Sequence, residues 1–373
     1  MKGKHTVEKI GGTSMSRFGE VMESVIVGNR TGDDLYGRAF VVSAYGGITN
    51  ALLEDKKTGA PGVYALFAAG DPAWTEALED VRTKMIECNR SFRDQGLDQE
   101  KADAFVHTRI DGVRTCLEAL GSVRSFGHMQ HDDYLPASRE FLSAQGEAHS
   151  AYNSVLMLNE RGVNACFVDL TGWKDTDVLP LEEAVAKPFE DIDIDCTMPI
   201  VTGYVKCSEG IMNRFGRGYS EITFSKIAVV THAVEGIIHK EFHLSTGDPK
   251  VVGEDKVRII GNTNFDIADQ MSDMDMEAIH AKAAKAMEFR DIPIRVKNAF
   301  EPEHPGTLIS RGYVSPEPVV EMICGRDDLV ALEVFDAEMV GQAGYDHRLL
   351  TVFKDHDISY IAKSTTANTI THF

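Results

Sequence analysis

Val7-Glu8-Lys9-Ile10-Gly11-Gly12-Thr13-Ser14-Met15 lies at the start of the chain and sets the reading of the whole fold. It reads as a short strand that runs into two glycines and then two hydroxyl residues. Beyond it, Phe18, Val21, Met22, Val25 and Ile26 keep helical spacing, which predicts a helix. Successive glycines let the backbone bend and approach a ligand closely, because no Cβ intervenes. The helix after the turn offers free N–H groups and the positive end of its dipole to an anion. Lys9 is a mobile point charge just before the turn, placed to neutralise phosphoryl oxygens. Strand, Lys9, Gly11, Gly12, Thr13 and helix together make a phosphate cradle. It is not the G-x-x-x-x-G-K-[ST] loop, whose order is absent. A plain structural turn is the competing reading of a lone Gly-Gly pair.

Composition narrows the possibilities. The chain has 373 residues, enough for two or more domains with proper cores. Lys and Arg number 38 against 58 Asp and Glu, a formal charge of −20. That excess argues against a nucleic-acid partner or an anionic membrane surface. Cys88, Cys116, Cys166, Cys196, Cys207 and Cys324 are scattered without a C-x-x-C pair and read as reduced core residues of a cytosolic protein. No signal-peptide core and no apolar run of membrane-spanning length is present, so the expected location is cytoplasmic.

Glycine turns recur at strand ends. A buried-type strand over 37–44 ends in Tyr45-Gly46-Gly47-Ile48-Thr49-Asn50, and ligands of open α/β sheets bind at such carboxyl ends. Residues 54–72 read as a polar excursion. Two amphipathic helices come next, one with Trp74, Leu78, Val81, Met85, Cys88 and Phe92 on its buried face, the other with Phe105, Val106, Ile110, Val113, Leu117 and Leu120. A further helix over 136–161 contains Gly146-Glu147; a glycine there costs roughly 1 kcal/mol against alanine, so it needs a reason, either close packing or close ligand approach. Strands are expected over 164–170 and 199–205. The third turn, Arg214-Phe215-Gly216-Arg217-Gly218-Tyr219-Ser220-Glu221, carries arginines that would grip a carboxylate or phosphate, and a helix runs from about 222 to 234. A short strand occupies 236–239. His239 and His243 lack a third ligand, so no metal site is read there. A helix over 276–288 and a last strand over 292–298 precede a Pro/Gly-rich linker over 300–318. The tail reads as β-α-β-β: a strand over 329–335, a helix over 340–353, and strands over 358–362 and 369–373.

In order and at fitting distances, Lys9-Ile10-Gly11-Gly12-Thr13-Ser14, Val42-Ser43-Ala44-x-x-Gly47-Ile48-Thr49-Asn50, Leu142-Ser143-x-x-Gly146-Glu147, Gly216-Arg217-Gly218-x-Ser220, Asp248-Pro249-Lys250 and Pro305-Gly306-Thr307-Leu308-Ile309 resemble the aspartate kinases of the amino-acid-kinase fold. The resemblance covers essentially the whole chain. The first motif and the His239-Lys240-Glu241 loop look most like the specialised aspartate kinases linked to ectoine synthesis. The resemblance implies an α/β fold, an open and mostly parallel sheet sandwiched by helices, over residues 1–315. A linker and a partial ACT-like β-α-β-β unit would occupy 316–373. It also implies Mg-ATP-dependent phosphorylation of the L-aspartate β-carboxylate to 4-phospho-L-aspartate, the first step toward aspartate-family amino acids or ectoine. Its partners would be L-aspartate, ATP and further copies of itself, as a homodimer or larger homo-oligomer.

The same resemblance implies the site roles. Lys9 and Glu221 are the expected catalytic residues. Ser43, Thr49, Glu147, Arg217 and Ser220 are expected to bind the amino acid, Glu147 at its ammonium and Arg217 with Ser220 at its carboxylate. Lys9, Gly11, Gly12, Thr13, His239, Lys240, Ser245 and Lys250 are expected at the nucleotide. Mg²⁺ would be held by phosphate oxygens and water, with no protein metal cage. The sequence departs from the family at Glu221, where an aspartate is usual, at His239, Lys240 and Ser245, and at Glu277-Ala278, where Lys-Val is usual. The competing reading is a non-catalytic amino-acid-binding regulatory homologue with a degraded nucleotide half.

Overall fold

Arg38-Ala39-Phe40-Val41-Val42 forms strand β2 (Arg38–Val42), buried along its whole length as expected of a central parallel strand covered on both faces. The computed structural model describes residues 4–127, 131–273, 279–325 and 329–373. In chain order the other strands of this sheet are β1 (Thr6–Ile10), β3 (Ala165–Val168), β4 (Met198–Thr202), β5 (Glu235–Lys240), β6 (Asn262–Thr263), β7 (Ile294–Asn298) and β8 (Thr307–Ile309). Their order across the sheet is β3-β4-β2-β1-β5-β7-β8-β6. Pairing is parallel from β3 through β7; β8 runs antiparallel to β7, with β6 parallel to β8. This is the expected open, mostly parallel α/β sheet.

Strand β1 sits between β2 and β5, with Lys9 opposite Val41 and Ile238. Side chains along a strand point alternately to opposite faces. Lys9 therefore meets helix Tyr219–Val230 through Glu221, while Glu8 faces the other layer and pairs with Arg38. That second layer contains Phe18–Val21 and a π-helical stretch, Met22–Val27. The carbonyls of Val25 and Ile26 there accept from the Arg38 guanidinium. Helices Trp74–Ser91, Gln99–Ser125 and His131–Glu160 pack together beside the β3–β4–β2 half, as their apolar spacing predicts.

A second, antiparallel sheet has the order β10-β11-β9, built from β9 (Leu332–Phe335), β10 (Lys363–Thr365) and β11 (Thr369–His372), with helix Tyr345–Asp355 between β9 and β10. The β-α-β-β order matches the expectation. Met339, Phe353, Ile370 and His372 are buried, whereas Leu332 and Phe335 remain exposed.

Several boundaries differ from the sequence reading. The stretch read as linker contains β8, so β7 is not the last strand of the large sheet; three residues are too few to register a period. The expected strand over 358–362 is shifted to β10, because Ile358 and Tyr360 are exposed rather than paired into the sheet. The excursion over 54–72 contains a helix, Val63–Ala69. Of the helix expected over 276–288, Ala281 onward is helical, and residues 276–278, with the departure Glu277-Ala278, lie outside the described residues. Among the described residues no helix is long and apolar enough to cross a membrane.

Candidate active site

After Ile10 the chain turns at Gly11 into the short helix Gly12–Met15. A Cβ on Gly12 would lie 2.9 Å from the Ala44 carbonyl oxygen, so only glycine lets this turn close on the end of β2. That contact also brings the turn beside half-buried Ser43. Thr13 is exposed at the first helical turn, and Ser14 is buried with its hydroxyl donating to Glu241 Oε1 at 3.2 Å.

Lys9 Nζ donates to Glu221 Oε1 at 3.0 Å, and the His280 backbone N–H donates to Glu221 Oε2 at 2.5 Å. Burial works to raise the Glu221 pKa. Lys9, Lys240 and the His280 amide outweigh it and hold the carboxyl below its ordinary value. Glu221 is therefore an anion that keeps Lys9 at the mouth of the glycine turn. The extra methylene relative to aspartate does not prevent that pairing.

Glu147 lies in helix His131–Glu160. A Cβ on the preceding Gly146 would come within 2.8 Å of Ala44 Cβ and 3.1 Å of Ile48 Cγ2, so the glycine lets this helix close on the segment after β2 that bears Ser43 and leads into helix Ile48–Leu52 with Thr49. Ser220 Oγ donates to Glu147 Oε1 at 3.0 Å, while Glu147 Oε2 is buried and has no hydrogen-bond partner. Burial raises the Glu147 carboxyl to about 8, against weaker opposing effects of Ser220, Lys9, the Tyr204 backbone and the Tyr219 hydroxyl. A buried carboxyl oxygen without a donor in bonding geometry becomes a place for a ligand's cation once the group ionises.

Arg217, in the turn before Ser220, donates to Asn50 Oδ1 at 2.6 Å and to the backbone and carboxylate of Glu54. Thr49, half-buried, immediately precedes Asn50. Glu140, two turns before Glu147 on one helix, accepts from Tyr204 Oη at 2.7 Å and from the amides of Met212 at 3.2 Å and Asn213 at 2.8 Å. It thereby braces helix Ile211–Phe215, which leads into the arginine turn. The structure thus gathers Lys9, Gly12, Ser43, Glu147, Ser220 and Glu221, with Arg217 in the 216–218 turn bonded to Asn50, the neighbour of Thr49 in helix Ile48–Leu52.

Several nucleotide-side expectations need correction. His239 points to the opposite face from Lys9: it is buried, and its Nε2 bonds Glu8 Oε2 at 2.7 Å beside Arg38. Strand direction explains this, since His239 aligns with Ile10 while Lys240 lies on the Lys9 face. Burial works to raise the Glu8 pKa, but Arg38 and His239 overcome it and hold the carboxyl well below the ordinary range. Gly11 commits its N–H to the His239 carbonyl at 3.3 Å, so the cradle amides begin at Gly12. Ser245 is buried and its hydroxyl donates to the Gly247 carbonyl at 2.8 Å, a loop-closing role. The Lys250 side chain lies outside the described residues. Sequence reasoning missed Glu54, Arg139, Glu140 and His280. Only Glu140 carried a local signal, its two-turn spacing from Glu147.

Residues 4–298 match the model of the amino acid kinase family. The chain belongs to the amino acid kinase family. Within this family it is 51% identical over 371 residues to Aspartate kinase Ask_Ect of Stutzerimonas stutzeri, covering 99% of this chain and 78% of that relative. Aspartokinase 1, chloroplastic, of Arabidopsis thaliana is 24% identical, over 96% of this chain and 61% of its own length. E. coli aspartokinase III in complex with aspartate and ADP (R-state) superposes with a TM-score of 0.70 at 20% identity, over 99% of this chain and 78% of that one. That last likeness concerns the fold.

Proposed function

We propose that this amino acid kinase is an aspartate kinase, transferring the γ-phosphoryl group of ATP to the β-carboxylate of L-aspartate to give 4-phospho-L-aspartate. The observation that carries the reading is the convergence of Lys9, held by Glu221, with the buried and half-satisfied carboxylate of Glu147. Phosphoryl transfer needs positioning and charge neutralisation more than a protein nucleophile. Lys9 supplies the cation for the transferring group, and the amides from Gly12 onward donate to its oxygens. Glu147 receives the substrate ammonium through the oxygen that lacks a donor. Arg217 and Ser220 take the α-carboxylate, and Ser43 and Thr49 bond the amino acid from the β2 side.

Lys240, on the Lys9 face of β5, fits a nucleotide phosphate. Mg²⁺ bound with the nucleotide would be held by phosphate oxygens and water and would supply screening of their charge. We place the chain with the specialised kinases that feed ectoine synthesis, on its motif wording and its similarity to Aspartate kinase Ask_Ect. We place the catalytic unit at residues 1–315 and an ACT-like unit at 316–373, assembling as a cytoplasmic homo-oligomer.

The test is ATP-dependent hydroxamate formation from aspartate and hydroxylamine, with and without Mg²⁺. Product with aspartate supports the kinase. Aspartate binding without any hydroxamate overturns it in favour of a non-catalytic binder.

A further inference from the structure

Glu54 stands where a substrate carboxylate is expected. Arg217 Nη1 donates to Asn50 Oδ1 at 2.6 Å, and Nη2 donates to the Glu54 carbonyl and, at 3.1 Å, to Glu54 Oε1. Arg139 grips the same carboxylate in a fork, with Nη1 at 2.9 Å from Oε2 and Nη2 at 2.5 Å from Oε1. Glu54 Oε1 is thus shared by two guanidinium groups from different elements. The Glu54 and Arg217 side chains are 30% and 18% exposed, so the contact borders solvent.

We propose that Glu54 is an internal stand-in for the α-carboxylate of the amino-acid substrate, occupying Arg217 while the site is empty and yielding it when substrate binds. The inference rests on the reading of Arg217 as the carboxylate grip. Arg217 reaches the Glu54 carboxylate through Nη2 alone, and a substrate carboxylate would compete for that same nitrogen. Arg139 makes the exchange possible. Its two-point hold keeps Glu54 compensated after Arg217 has left, which avoids an unpaired charge in a partly buried place. Glu54 then sets specificity. A ligand without an α-carboxylate cannot displace it, and Arg217 stays turned to the loop.

A purely structural role for Glu54, orienting Arg217, gives the opposite sign. The test is aspartate KM and calorimetric Kd for the full chain and for Glu54→Gln, Glu54→Ala, Arg139→Gln and the Glu54→Gln/Arg139→Gln double variant, each checked for folding by thermal unfolding. Removing the competitor lowers aspartate KM and Kd by about two- to fivefold, the scale of a partly exposed ion pair. Arg139→Gln, which leaves Glu54 wholly to Arg217, raises both, and the rise disappears in the double variant. Constants that are unchanged or raised in both Glu54 variants overturn the exchange. Arg217→Gln separates the two levels: if it leaves aspartate binding intact, the Arg217 reading itself fails. If it weakens binding while the Glu54 variants do not tighten it, only the exchange fails.

Discussion

Lys9 Nζ and Glu221 Oε1 stand 3.0 Å apart with both side chains 11% exposed, a closed ion pair at the carboxyl end of β1. Breaking it from the lysine side removes the cation for the transferring group. Lys9→Met is expected to lower kcat by about 10²–10³-fold or more, the loss seen when one donor aimed at developing charge is deleted. Calorimetric aspartate binding should be nearly intact. Substantial turnover by the variant removes Lys9 from its role.

Glu147 predicts a pH dependence of aspartate binding. Its carboxyl is raised from 4.5 to about 8 by burial, so the empty site holds a proton at neutral pH. The ammonium of aspartate requires the charged form. Binding therefore expels about one proton, and aspartate affinity improves as pH rises toward about 8. Calorimetry in buffers of different ionisation enthalpy reads the proton directly, and Glu147→Gln should abolish both effects while raising KM.

The same shift has a stability sign. A group whose folded pKa is raised contributes stability that is full below its unfolded value, here about 4.5, and is lost as pH climbs through about 8. The ligand-free protein should lose stability across that window, and Glu147→Gln should flatten the curve. Denaturant midpoints at several pH values check this.

His239 and Lys240 should part company. His239→Ala removes a bond to Glu8 on the far face, costing about 1–3 kcal/mol of stability while leaving the nucleotide KM unchanged. Lys240→Ala should raise that KM several-fold. Reversed outcomes would put His239 back at the nucleotide.

Gly203→Ala tests the packing behind Glu147. The new Cβ would sit 2.8 Å from Ser220 Cβ and 3.0 Å from Glu147 Oε1 and the Val42 carbonyl. Overpacking of this kind costs about 1–3 kcal/mol. Here it should also raise aspartate KM, because the crowded atoms belong to Ser220 and Glu147, the residues proposed to bind it.

The exposed Leu332 and Phe335 on the open sheet of the tail should seek cover. Sedimentation at micromolar concentration is expected to show a dimer or larger species; a monomer with the tail intact counts against assembly there.

The legible parts of the site lay on local signals. Three glycine turns, at Gly11-Gly12, Gly46-Gly47 and Gly216-Arg217-Gly218, announced themselves in sequence, and each carries expected residues toward one region. The illegible parts depended on facing and on distance. Residues 235–240 read Glu-Gly-Ile-Ile-His-Lys, with the two isoleucines adjacent, so no period of two marks which way His239 points. Strands of two or three residues, β6 and β8, leave no pattern at all. Arg139 and Glu54 meet across 85 positions, and nothing local to either names the other.

The ion pair on the far side of β1 has a consequence for how the strand is aligned. Glu8 and Lys9 are adjacent and oppositely charged, and each has its counter-charge waiting on its own side, Arg38 for one and Glu221 for the other. Were β1 to slip by a single residue, the carboxylate would confront Glu221 and the ammonium would confront Arg38. Both sides would repel at once. The buried Arg38–Glu8 contact therefore proofreads the placement of a residue it never touches, and a misaligned strand is rejected during folding, before any substrate arrives.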